Sequence, residues 1–146
     1  MTSAPTLTGQ DIGQAERATR ALLDELLVDT GLRFDEWVII NVLGTHDGAP
    51  ERAAIASLVA RGLHIDRDTA REVIDDLVRR GLVVPIGRDA RITLTREGRA
   101  RFKSVRAGID RITERLYGGI SADDLATTHR VLAAVTERAH AALTDD

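Results

Sequence analysis

Residues 51–101 hold eleven arginines against eight carboxylates, while the rest of the chain holds nine basic and fifteen acidic residues. A surplus of three positive charges therefore sits inside a chain whose net charge is −3. Guanidinium chemistry suits a polyanion: the group is planar, permanently charged, and its donors match phosphate oxygens or the O6/N7 edge of guanine. Arg52, Arg61, Arg67, Thr69, Arg71, Arg88 and Arg91 have the type and placement for that chemistry. A local cationic surplus of this kind suggests that the middle of the chain meets an anion.

The stretch IDRDTAREVIDDLVRRGLV, residues 65–83, complicates that reading. It carries Asp66, Asp68, Glu72, Asp75 and Asp76 against Arg67, Arg71, Arg79 and Arg80. At about 100° per residue, Ala70, Val73, Ile74 and Leu77 share one side of a helix. The opposite face holds Asp68, Glu72, Asp75 and Arg79, with Arg67 and Arg71 on one flank and Thr69, Asp76 and Arg80 on the other. Acids on a reading face oppose phosphate, yet a carboxylate can accept from cytosine N4, and Arg67 or Arg71 can pair with guanine. Glu72 has only like-charged neighbours four residues away, Asp68 and Asp76, so helix stability alone does not account for the pattern. Three readings stay open. The helix binds DNA with modest affinity through its arginines; it needs a cation or low salt; or it meets a protein partner instead.

Other chemistries find little support. There is no cysteine, which excludes disulfides, thiolate zinc sites and thiol redox sensing. His46, His64, His129 and His140 include no His-x₃-His pair. His129 and His140, eleven apart, share a helix face and with Glu137 could approach a divalent metal, but surface or interface roles suit them better, so no metal or cofactor is expected. No nucleophile elbow or phosphate loop occurs. Asp75–Asp76 and Asp123–Asp124 are adjacent, and adjacent helical side chains diverge, so no enzyme is expected. No apolar run approaches the ~20 residues of a membrane span. The opening MTSAPTLTGQD lacks the basic and apolar regions of a secretory signal, so the expected location is the cytoplasm.

These residues need a scaffold. Ile12, Ala15, Thr19, Leu22, Leu23, Leu26 and Leu27 give the first helical segment an apolar face, ended by Thr30–Gly31. FDEWVIINVLGTH is apolar around most of its surface and predicts a buried central helix, with Gly44, Asp47, Gly48 and Pro50 marking the loop after it. ERAAIASLVARG predicts a short helix packing through Ala54, Ile55, Leu58 and Val59, with a turn beginning at Gly62. Asp66 is the expected N-cap of the acid-rich helix and Gly81 its stop. LVVPI (82–86) and RITLT (91–95), joined by GRDA (87–90), predict a compact hairpin. Phe102, Val105, Ile109, Ile112 and Leu116 form a heptad-like seam. After YGGIS (117–121), Ser121 caps a last helix striped by Leu125, Thr128, Leu132, Val135, Ala139 and Leu143. The expected order is α-α-α-α-β-β-α-α, within one domain of 146 residues.

Two short helices around a tight turn, then a hairpin, read as a winged helix-turn-helix, whose second helix faces the major groove. DTAREVIDDLVRRGLV followed by RITLTREGRARF resembles the multiple-antibiotic-resistance regulator (MarR) family. Leu77, Gly81, Leu82 and Val83 match the family's recognition-helix end, a leucine, variable residues and Gly-Leu-Val; Leu94, Thr95 and Gly98 match its "Leu-Thr-x-x-Gly" opening of a long helix. The likeness runs from about Leu7 to Leu143. It implies a mainly α fold with a small β-hairpin wing, a winged lobe over residues 34–98, and dimerisation helices over 7–30 and 99–144. It implies a homodimeric transcriptional regulator, a repressor on a pseudo-palindromic operator, released by a small aromatic or anionic effector. Trp37 and His64, with Phe34 and Tyr117, are the candidate effector lining, although Trp37 suits the core better. The wing departs from the family: its tip is only GRDAR, so Arg88 and Arg91 reach out from a short hairpin. The alternative is a winged-helix dimer that does not bind DNA and serves as a protein-interaction or ligand-binding module.

Overall fold

The computed structural model describes residues 6–145; the first half of the opening MTSAPTLTGQD lies outside them. Eight elements follow in the expected order: α1 (Gly9–Thr30), α2 (Phe34–Thr45), α3 (Arg52–Leu63), α4 (Arg67–Arg79), β1 (Val83–Ile86), β2 (Arg91–Leu94), α5 (Arg96–Tyr117) and α6 (Ala122–Thr144). The chain divides into two compact units, with the boundary between Asp110 and Arg111. No helix among the described residues is long and apolar enough to cross a membrane.

In the first unit α2 is the central helix, burying Trp37, Ile39, Ile40 and Leu43. Against it α4 turns Ala70, Val73, Ile74 and Leu77 inward, and the hairpin adds Leu82, Val83, Ile92 and Leu94. With so few aromatics the core is aliphatic, and stability rests on close packing of branched side chains. One aromatic pair is inside: Trp37 stacks on Phe102 of α5 with ring centroids 6.1 Å apart. The Phe102 ring lies against Gly44, where an added Cβ would come within 2.4 Å of it. Gly44 is thus helical and makes room for Phe102; it does not open the loop.

Three further expectations change. In α3 the buried residues are Ile55, Ala56 and Val59, while Ala54 and Leu58 are exposed. An alanine-rich helix has weak periodicity, and the inward face lies about one residue round from the predicted one. Gly62 stays helical, and His64 takes the left-handed cap conformation at φ 54°. The α5 seam is not uniform: Val105 is fully buried, with Phe102 and Ile109 packed on the same core. Those three therefore pack within the chain itself, because the start of α5 closes over α2.

The hairpin pairs Val83 with Leu94 and Ile86 with Arg91, antiparallel. Its turn end is also fastened to the segment entering α3. The Ile92 amide donates to the Pro50 carbonyl at 3.0 Å, and the Arg52 amide to the Ala90 carbonyl at 2.8 Å. Glu51 forms a bridge with Arg91.

The second unit takes in the end of α5 and α6. Gly119, at φ 86°, turns the chain, and the Ser121 hydroxyl accepts from the Asp124 amide at 3.1 Å, capping α6 as predicted. No residue of α6 is buried.

Candidate nucleic-acid interface

The turn from His64 to Asp66 sets α4 on α3. Asp66 Oδ1 accepts from the Thr69 amide at 2.7 Å, the N-cap expected from sequence. That hydrogen bond holds the Asp66 carboxyl below its ordinary value, because it favours the charged form. Asp66 therefore serves the helix end and is not part of a reading face.

The remaining acids of α4 are mostly engaged. Asp75 receives Arg52 from α3. Asp68 receives Arg71 at 3.2 Å. Asp76 receives Arg79, and Arg33 approaches it at 3.8 Å. Arg33 is held more firmly in its charged form, chiefly by Asp35. Among the described residues Glu72 is the one acid of α4 with no hydrogen-bond or ion-pair partner. The sequence pattern could not reveal this, since two of the partners, Arg52 and Arg33, come from other elements.

The seven sequence-predicted contact residues divide accordingly. Arg52 and Arg71 are paired to Asp75 and Asp68. Arg91 donates to the Ala49 carbonyl at 2.8 Å and lies 3.9 Å from Glu51, so it anchors the turn end of the wing to the segment before α3. Thr69 is exposed in the first turn of α4. Arg61, Arg67 and Arg88 are exposed, at the end of α3, the start of α4 and the hairpin tip, and make no hydrogen bond or ion pair among the described residues.

Sequence reasoning missed one structural centre. Glu36, with its side chain 2% exposed, accepts from Arg80 at 2.5 Å and from the Arg33 amide at 3.0 Å. Arg80 also donates to the Gly31 carbonyl at 2.7 Å, and Arg101 to the Thr30 carbonyl at 2.5 Å. Two guanidiniums thus sit at the negative end of the α1 dipole, and one of them ties α1 and α2 to the residue that follows α4. The available signal was a carboxylate immediately before Trp37 in the largely apolar segment FDEWVIINVL.

Of the proposed effector lining, Trp37 is core. Phe34 is half-buried beneath the Arg20 guanidinium, 3.2 Å from its ring centroid. His64 is exposed, and Tyr117 belongs to the second unit, exposed at the end of α5. No group of three or more metal-ligating side chains is found among the described residues.

No protein-family profile matches the sequence, but solved structures match most of it. A MarR-family transcriptional regulator from Rhodococcus sp. RHA1 gives a TM-score of 0.71 at 22% identity, over 90% of this chain and 97% of that one. CouR from Rhodococcus jostii RHA1, crystallised with p-coumaroyl-CoA, gives 0.70 at 22%, over 85% and 87%. A MarR-family protein of Mycobacterium tuberculosis, in complex with DNA, gives 0.66 at 21%, over 90% and 98%. The fold is the MarR winged helix. Its two sequence motifs form one joint in this chain. The Thr95 hydroxyl donates to the Gly81 carbonyl at 2.6 Å and accepts from the Gly98 amide at 3.0 Å. At Gly98 a Cβ would sit 2.0 Å from the Leu82 carbonyl oxygen, so the MarR-like glycine is required by close backbone approach.

Proposed function

We propose that this chain is a homodimeric DNA-binding transcriptional regulator of the MarR kind, acting as a repressor. Residues 34–98 form the reading lobe, and residues 7–30 and 99–144 the dimerisation helices. The observation that carries the reading is the pairing on α4. Its acids are largely neutralised within the protein, while Arg61, Arg67 and Arg88 remain unengaged. Arg67 and Thr69, in the first turn of α4, suit base edges or nearby phosphates; Arg61 and Arg88 suit phosphates on either side. Arg52, Arg71 and Arg91 support the interface from behind their ion pairs.

Fluorescence anisotropy against the DNA upstream of the protein's own gene, across a salt series, tests this. Four to six phosphate contacts per dimer give a log–log salt slope of about −4 to −5. Arg67→Glu combined with Arg88→Glu removes binding and leaves the thermal melt unchanged. Equal binding of the variant and the parent would overturn the assignment.

Release by a small aromatic or anionic effector completes the proposal. It is supported by the bound acyl-CoA in CouR. A second support is Asn41, one turn after Trp37 on α2, whose side-chain oxygen is buried without a hydrogen-bond partner. An acceptor of that kind suits a phenolic hydroxyl. Trp37 is the only tryptophan, so titration with p-coumarate should change its emission saturably, and Asn41→Leu should abolish the change.

A further inference from the structure

We infer that Glu72 selects a cytosine in each half of the operator, an inference that rests on the DNA-binding reading above. Ion pairs on α4 account for Asp68, Asp75 and Asp76, and the cap accounts for Asp66. Glu72 is exposed near the middle of the same helix and has no partner. It lies close to the centre of the face opposite Ala70, Val73, Ile74 and Leu77, at about 100° per residue. These four residues are buried, so that opposite face is the one directed at a groove. No neighbour four residues away can neutralise Glu72, because those positions are Asp68 and Asp76.

An unpaired carboxylate in a major groove discriminates by chemistry. Guanine presents two acceptors there, and thymine presents an acceptor and a methyl group; both repel or exclude it. Adenine offers its N6 donor beside the N7 acceptor. Cytosine presents the N4 amine as its hydrogen-bonding group in that groove, and a carboxylate accepts from it. Against any other base Glu72 adds an unpaired anion to a polyanion and weakens the complex. The residue therefore lowers affinity for DNA in general and restores it where cytosine stands opposite. This is specificity through rejection of wrong partners as much as attraction to the right one.

The test is selection from a randomised duplex library by the full-length protein, alongside Glu72→Ala and Glu72→Gln. The parent should enrich a two-fold symmetric motif with an invariant cytosine in each half. Glu72→Ala should lose preference at that position by about five- to tenfold, the scale of one base contact, keep the rest of the motif, and bind random DNA more tightly. Glu72→Gln should shift the same position towards adenine, whose N6/N7 edge a carboxamide pairs with. Both substitutions are on an exposed helical position, and a thermal melt checks that the lobe is intact. A motif shared unchanged by parent and variants would overturn the inference and leave the DNA-binding reading standing. Absence of any enriched motif for the parent would overturn both.

Discussion

The carboxylate of Glu36 accepts from Arg80 of the segment after α4 and from the Arg33 amide beside it. Neither partner is replaceable by water at so buried an oxygen. Glu36→Gln keeps the shape but removes the charge opposite Arg80, and should lower stability by about 2–3 kcal/mol in urea denaturation. Two glycines give opposite expectations. Gly98→Ala forces a methyl group onto the Leu82 carbonyl and should cost about 3 kcal/mol or prevent folding. Gly62→Ala adds a methyl group into open space on α3 and should raise stability by about 0.5–1 kcal/mol. At this scale, legibility followed locality. Asp66 and Ser121 cap their helices, and Gly31 and Gly81 end theirs, through contacts within four residues, and those roles were readable. Glu36 and Arg80 are 44 residues apart, and no periodicity joins them.

Helix α4 begins on a single carboxylate. The Asp66 carboxyl titrates below its ordinary value of 3.8 in the folded chain. Its stabilising effect is therefore fully present above that value and lost as pH falls through the lower folded one. Protection of the Thr69 amide, its exchange rate relative to the intrinsic rate at each pH, should hold down to roughly pH 4 and then fall in acid before that of the rest of α4. Asp66→Asn, which caps without titrating, should remove that pH dependence. The order and type of all eight elements were legible because each helix carries a stripe or a cap and the strands are short β-branched runs around a turn. The inward face of α3 was not, since Ala53, Ala54, Ala56 and Ala60 give almost no contrast between sides. The candidate interface was half legible. Residue types and the helix proposed to read DNA could be named from the sequence, but the pairing of Arg52 with Asp75 from another helix decides which arginines are free.

For the whole molecule, α6 has no buried residue, and Val131, Leu132 and Val135 are each about 40% exposed. A 23-residue helix with an uncovered apolar stripe calls for a partner. Light scattering should give twice the 15.9 kDa protomer mass. Leu132→Asp with Val135→Asp should shift it to the protomer and weaken operator binding at least about tenfold, because two half-sites are then no longer read together. The wing carries a consequence of a different kind. Its second strand and the turn before it are tied to the chain entering α3 through the Pro50 and Ala90 carbonyls, and Arg91 is fixed to Ala49. Arg88 therefore projects from a hairpin tied to the lobe, so under the proposed DNA-binding role capture of a phosphate there would incur little backbone entropy. Association should be correspondingly fast, with no slow phase from a folding loop, and the heat capacity change of binding should reflect the groove contacts and not wing ordering.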